Sequence, residues 1–363
     1  MTENRRTLVA TLVVAVLAAL LAVVAPAGAA VPPPRIRHVF VVNLENKGYD
    51  ETFGPHSAAP YLSRTLRSRG QLLTQYYGTA HNSLPNYLAQ ISGQGPNPQT
   101  QGDCQVYSRF RQVATVAPGQ AVGTGCVYPA HVKTVADQLE ARGFTWKAYM
   151  QGMGRSCRHP ADDTVDGTQK AKVGDEYAAR HNPFVYFRSI RDRPTCRRHV
   201  VDLRRLRGDL GAVRTTANLT YITPDLCSDG HDSPCVDGRP GGLRSANTWL
   251  ERWVPRILAS PAYRRNGLLV ITFDEADTES TSGADACCGE GPGPNSPLPG
   301  IFGPGGGRTG AVLLSPHIAA GSWNDTAYNH YGLLRSIENA FGLRPLGYAA
   351  RARGFGYDVW GAR

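Results

Sequence analysis

The chain has 363 residues, 41% hydrophobic and 19% charged, and its 39 Lys+Arg outnumber 29 Asp+Glu for a formal net charge of +10. Apolar content near the globular norm excludes a disordered polymer, and the size excludes a small scaffold stabilised by disulfides alone. A single long apolar run excludes a polytopic membrane protein and leaves a large basic chain with room for a buried core.

That run covers residues 8–24, behind Arg5 and Arg6 and ahead of Pro26, Ala27, Gly28 and Ala29. A basic start, an apolar stretch and an Ala-x-Ala site predict a secretory signal peptide over residues 1–30, with an uncleaved membrane anchor as the alternative. Its removal would take Glu3, Arg5 and Arg6 and lower the net charge by one. Residues 31–363 then read as one secreted domain. Export places the eight cysteines in a compartment that permits disulfides. None forms a Cys-x-x-Cys pair or has zinc-finger spacing to a His, which favours disulfides over metal ligation. Cys104–Cys126 and Cys227–Cys235 are plausible short pairings, whereas the adjacent Cys287 and Cys288 are expected to bond separate partners.

Along the mature chain, His38 to Leu44 is a β-branched and aromatic run that ends in Glu45-Asn46, and it reads as a buried strand. Residues 61–69 read as a helix closed by Gly70. Residues 83–91 read as another, with Pro85 in its first turn and Gly93 as its stop. Thr134 and Asp137 suggest a capping box that opens a helix ending at Gly143, and a strand follows over 144–149. Residues 152–198 are rich in Arg, Asp, Gly and Cys with weak periodicity, and are read as a basic surface insertion or lid. A strand over 219–223 ends at Pro224-Asp225. The next helix buries Trp249, Leu250, Trp253, Val254, Ile257 and Leu258 on one face, and Pro255 predicts a kink or early stop. Residues 268–273 form the clearest strand and end in Asp274-Glu275. A Gly/Pro/Ser loop, a strand over 311–314 and a helix marked by Leu333, Leu334, Ile337 and Phe341 complete the chain. Strands alternating with helices predict an α/β fold with a mainly parallel sheet sandwiched by helices.

In such sheets ligands bind beyond the carboxyl ends of the strands. Three of those ends carry acids: Glu45-Asn46, the segment from Asp225 through Asp229 to His231, and Asp274-Glu275. Crowded carboxylates need a cation or a proton between them, and oxygen donors with one His suit a divalent metal. Ser83 lies at the start of a helix whose free amides favour an anion, so it is either a nucleophile or an ordinary N-cap. His81 could orient Ser83 or hold a phosphate. His330 has a capping or surface role as its alternative to catalysis, and His131 and His317 read as structural. The glycine-rich stretch before Arg308 lacks the ending of a Walker loop and reads as a turn, with Arg308 as a phosphate contact.

These pieces, taken in order, resemble the bacterial phosphoesterase family of secreted acid phosphatases and phosphatidylinositol-3-phosphatase-like enzymes. That family is related to phosphocholine-preferring phospholipase C within the alkaline phosphatase superfamily. The resemblance rests on the Glu45-Asn46-Lys47 opening, on His81-Asn82-Ser83-Leu84-Pro85-Asn86-Tyr87, on Pro224-Asp225 through His231-Asp232, on Thr272-Phe273-Asp274-Glu275, and on Ser315-Pro316-His317 with Tyr328-Asn329-His330. It implies an alkaline-phosphatase-like core with Ser83 as nucleophile. Glu45, Asn46, Asp274 and Glu275 would surround a metal or the proton in its place. Asn86 would donate to a phosphoryl oxygen, and Asp229 and His231 would lie by a second metal position or the leaving group. The metal could be Mg, Ca or Zn, and metal-independent action stays open because the acid and His spacings depart from the superfamily pattern. A sulfatase is disfavoured, since Tyr87 stands where its maturation signature has Arg.

The activity expected is hydrolysis of phosphate monoesters, including phosphoinositide 3-phosphates, by an enzyme acting as a monomer. Its partners would be a phosphorylated small molecule or lipid headgroup, with peripheral contact to an anionic membrane and no nucleic acid. The alternatives are a phospholipase C-type phosphodiesterase and a non-catalytic surface protein that holds polyanions on its basic insertion.

Overall fold

The computed structural model describes residues 34–278 and 283–361, so the segment read as a signal peptide lies outside the described residues. Eight strands form one sheet: β1 (His38–Leu44), β2 (Gln71–Leu73), β3 (Trp146–Met150), β4 (Val200–Asp202), β5 (Leu219–Thr223), β6 (Gly267–Phe273), β7 (Ala311–Leu314) and β8 (Ser322–Asn324). Their order across the sheet is β8-β2-β7-β6-β1-β5-β3-β4. The five strands from β6 to β4 run parallel, whereas β7 runs antiparallel to both of its neighbours. The expected mainly parallel sheet is present, with β7 as its one reversal.

All seven residues of β1 are buried, because the strand is covered on both faces. Its side chains alternate between two cores. Val39 and Val41 pack with α1 (Ser83–Ser92), α2 (Val135–Ala141) and α4 (His330–Phe341). Phe40, Val42 and Leu44 pack with α3 (Gly242–Ala259) on the other face, against Leu250, Val254 and Ile257. Pro255 does not stop α3, which runs on to Ala259. Pro255 and Glu251, the residue whose carbonyl it would otherwise have bonded, are both exposed, so water can take the freed carbonyl.

Thr134 caps α2 reciprocally with Asp137, as the capping box requires. β3 starts two residues later than expected, because Gly143 at φ +74° and the Phe144 amide bonded to the Leu139 carbonyl still finish α2. Residues 61–69 are helical but not α-helical: a π-helical turn over Tyr61–Leu66 gives way to a 3-10 turn. The stretch is pinned at both ends, by the Tyr61 amide donating to Asn247 Oδ1 at 2.7 Å and by Gly70 packed on the backbone of Leu313.

All eight cysteines are paired, as Cys104–Cys126, Cys157–Cys196, Cys227–Cys235 and Cys287–Cys288. The last pair corrects the expectation of separate partners: the two neighbouring residues bond each other. The surface reading of 152–198 also needs correction. Residues 177–187 are buried throughout, with Phe184, Val185, Tyr186 and Phe187 in the same core as α1. Apolar side chains are spaced irregularly there, so no period announced the burial. Among the described residues no helix is long and apolar enough to cross a membrane.

Candidate active site

β1, β5 and β6 all point their carboxyl ends at one region, and backbone hydrogen bonds lock those ends together. The Glu45 amide donates to the Asp229 carbonyl and the Asp274 amide to the Leu44 carbonyl, both at 3.0 Å. Gly230 permits the first contact, since its φ is +119° and a Cβ would lie 2.7 Å from the Glu45 carbonyl oxygen. Glu45, Asp229, Asp274 and Glu275 are consequently all buried.

Ser83 is the first residue of α1, and the N-cap position belongs to Asn82. The Ser83 hydroxyl therefore makes no cap; it donates to Glu45 Oε2 at 2.8 Å. Tyr87, one turn along α1, donates to Glu45 Oε1. The Leu84 amide at the helix start donates to Asp103 Oδ1 at 2.9 Å.

The buried half of the insertion completes the arrangement with two residues that the sequence analysis did not single out. His181 stacks on the Tyr87 ring at 5.3 Å, with Nε2 3.2 Å from Glu45 Oε1 and Nδ1 3.5 Å from Asp229 Oδ2. Arg180 is buried beside it, 3.6 Å from Asp103. Burial pushes the Glu45 carboxyl up to about 7, against the pull of His231, Tyr87, Arg180 and Ser83. Asp229, Asp274 and Glu275 are raised well above the usual carboxylate range, first by burial and then by nearby acids: Glu45 acts on all three, joined by Asp225 for Asp229, by Glu275 for Asp274 and by Asp103 for Glu275. His181 is lowered well below its usual range by burial, with Arg180 and His231 adding to the effect.

The other expected site residues fall into three positions. His81 donates through Nε2 to the Gly283 carbonyl and faces Glu275 through Nδ1. Burial lowers the pKa of His81 and raises that of Glu275, so the pair favours neutral forms. His231 stands at the open side with its side chain 38% exposed, bonded through Nδ1 to Asp232 at 2.7 Å, and Asn46 is half-buried at the end of β1. Asn86 is fully engaged inside the loop before α1. It accepts from the Thr79 and Ala80 amides and donates both amide hydrogens to the Ala80 and Asn82 carbonyls.

His330 is neither a cap nor a surface residue. Asn329 caps α4 by accepting from the Gly332 amide, and His330 is fully buried. Its Nε2 donates to the Asp274 carbonyl, and its Nδ1 accepts from Tyr76 and Gln90. Burial holds it down to about 4, so it is neutral and positions the end of β6. Arg308 lies over the Tyr49 ring at 4.4 Å and bonds Asp50 at 2.9 Å, which ties it to the turn after β1.

Both carboxylate oxygens of Asp274 lack a hydrogen-bond partner, and Asp229 Oδ2, Glu275 Oε2 and the His181 ring nitrogens make only the ion-pair contacts given above. Buried polar atoms without partners are costly, and an oxygen-rich set with one imidazole fits a divalent cation. Among the described residues, two groups of His, Cys, Asp or Glu have ligand atoms all within 4.8 Å of one another, Asp237 with Cys227 and Cys235, and Glu290 with Cys287 and Cys288; the Glu45, Asp229, Asp274 and His181 set is more widely spaced. In each the sulfurs are bonded to one another, so neither offers a thiolate.

Known proteins are similar to this chain in fold or in sequence. An alkaline phosphatase superfamily protein from Vibrio parahaemolyticus superposes with a TM-score of 0.50 at 12% identity, covering 88% of this chain and 71% of that one, so the fold is alkaline-phosphatase-like. An acid phosphatase from Aspergillus fumigatus is 27% identical over 311 residues, 85% of this chain and 55% of the relative. A phosphatidylinositol-3-phosphatase from Mycobacterium tuberculosis is 24% identical over 334 residues, 90% of this chain and 84% of the relative. The chain spans little more than half the length of the fungal and yeast acid phosphatases it matches. The Phosphoesterase family model matches residues 56–344, from the segment after the opening strand to the end of the last long helix, and the chain belongs to that family.

Proposed function

We propose that the protein hydrolyses phosphate monoesters with Ser83 as nucleophile. The observation that carries this reading is the buried Ser83–Glu45 hydrogen bond at the start of α1. It directs the hydroxyl proton at a carboxylate whose pKa of about 7 suits a base near neutrality. Ser83 Oγ would bond to phosphorus as its proton passes to Glu45 and the bond to the leaving oxygen breaks. His231, at the open side, would protonate that oxygen, and water would then split the phosphoserine. Asn86 shapes the loop that presents Ser83. Its amide is occupied, which favours a positioning role over direct donation to the phosphoryl group.

A divalent cation would be held by Asp274, Asp229 and His181, with Asn46 and Glu275 beside them, leaving Glu45 to take the Ser83 proton. When bound it would supply positive charge that lowers the proton affinity of the Ser83 hydroxyl. The likeness to the phosphatidylinositol-3-phosphatase, over most of that relative's length, favours a phosphorylated headgroup as substrate. Four disulfides favour an exported protein.

The test is phosphate release from an aryl phosphate by the full chain and by Ser83→Ala, with EDTA and with added divalent ions. Ser83→Ala should lower kcat by about a thousandfold or more with an unchanged circular dichroism spectrum. Wild-type turnover in that variant would rule out the nucleophile, and indifference to EDTA would rule out the metal.

A further inference from the structure

A cavity of about 920 Å³ opens on the insertion, and none of the candidate active-site residues lines it. Its charged lining consists of Arg155, His159, Arg191, Asp192, Arg193 and Arg197, around the Cys157–Cys196 disulfide. That volume suits a small-molecule ligand, but the wall is basic rather than apolar.

The charges are not all cancelled. Arg191 is spent on Asp162 and Asp192, and Arg193 reaches Glu140 at 3.2 Å. Arg155 and Arg197 are exposed, and neither has an acidic partner among the described residues. Burial lowers the pKa of His159, and Arg191 and Arg155 push it the same way against the Pro160 carbonyl and Asp162. The geometry is also held in advance. The disulfide ties the segment bearing Arg155 to the one bearing Arg197, while Tyr107 stacks on His159 and lies under the Arg191 guanidinium at 5.7 Å. A site already in shape loses less freedom when its ligand arrives.

We propose that this cavity is a binding site for a polyanion with more than one phosphate-like oxyanion group, with Arg155 and Arg197 as its free cations. Guanidinium forks match tetrahedral oxyanions, and two of them across one cavity suit a ligand with more than one such group. The proposal stands apart from the Ser83 reading, because it concerns binding and needs no turnover.

The experiment uses the full chain and titrates inositol hexasulfate, a soluble polyanion with no phosphate ester to cleave, into wild type and into Arg155→Glu/Arg197→Glu. Phosphatidylcholine vesicles with and without a phosphoinositide form a second arm, and aryl phosphate turnover is measured in parallel. The reversal should weaken polyanion binding about tenfold or more, leave kcat/KM for the aryl phosphate within about twofold, and be reproduced in direction by Arg155→Gln/Arg197→Gln. Capture on phosphoinositide vesicles that the reversal abolishes identifies a lipid headgroup as the source. Binding of the soluble polyanion without vesicle capture identifies a free one. Unchanged affinity in both variants overturns the proposal, and so does turnover that falls in step with binding. Loss of Ser83-dependent turnover and loss of polyanion binding are read in separate assays, so either idea can fail alone.

Discussion

Glu45 gathers three contacts on one buried carboxylate: Ser83 holds one oxygen, and Tyr87 and His181 meet the other. Removing one of these contacts leaves a buried charge short of a partner, which costs more than an exposed contact would. Tyr87→Phe keeps the ring that stacks on His181 and deletes only the hydroxyl. Thermal unfolding should show a loss of about 1.5–3 kcal/mol, and kcat for an aryl phosphate should fall about tenfold or more because the carboxylate is less firmly placed. Unchanged kcat alongside lowered stability would confine Tyr87 to a packing role.

The helices on the two faces of the sheet differ in what they can disturb. α3 packs on the face away from α1, so Leu250→Ala should cost about 2–5 kcal/mol in urea unfolding while leaving kcat within about twofold. α4 carries a pH-sensitive group of its own. Glu338 is buried, its Oε1 accepts from the Leu346 amide at 2.8 Å and its Oε2 has no partner. Burial pushes this carboxyl up to about 8, against the pull of Leu346 and Arg335. The native state then binds more protons than the unfolded chain between roughly pH 4.5 and 8, so this group's contribution to stability is fully present in acid and is lost as pH rises through that window. Glu338→Gln keeps an acceptor for Leu346 and removes the titration. Its melting temperature should match wild type near pH 5 and exceed it near pH 8; an equal difference at both values would contradict the assignment.

For the molecule as a whole, four disulfides divide the labour unevenly. Cys227–Cys235 closes 8 residues and Cys287–Cys288 joins neighbours, whereas Cys157–Cys196 spans 39. The longer loop restricts the unfolded chain more, so Cys157→Ala/Cys196→Ala should lower stability by about 2–4 kcal/mol. Reducing agent should then shift the melting temperature of this variant less than that of wild type. An equal shift would place the stabilisation in the other three bridges.

Most of the frame was legible in the chain. Buried strands such as β1 and β6 reveal themselves as short β-branched runs, helix ends are marked by Gly93 and by the Thr134–Asp137 box, and the acids that end β1 and β6 follow directly in sequence. Ser83, Glu45, Asp274 and Asp229 were thus identifiable as candidates from local pattern and order, and Cys104–Cys126 and Cys227–Cys235 from spacing. Folding alone settled their contacts. It took the Ser83 hydroxyl from a possible cap to Glu45, occupied the Asn86 amide, buried His330 behind Asp274, paired Cys287 with its neighbour and reversed β7. It also carried Arg180 and His181 from an aperiodic insertion into the same cluster. The difference has one physical cause: alternation and capping depend on residues a few positions apart, whereas burial, charge crowding and a shared proton depend on groups brought together across 38 residues between Glu45 and Ser83 and on contacts no local pattern encodes.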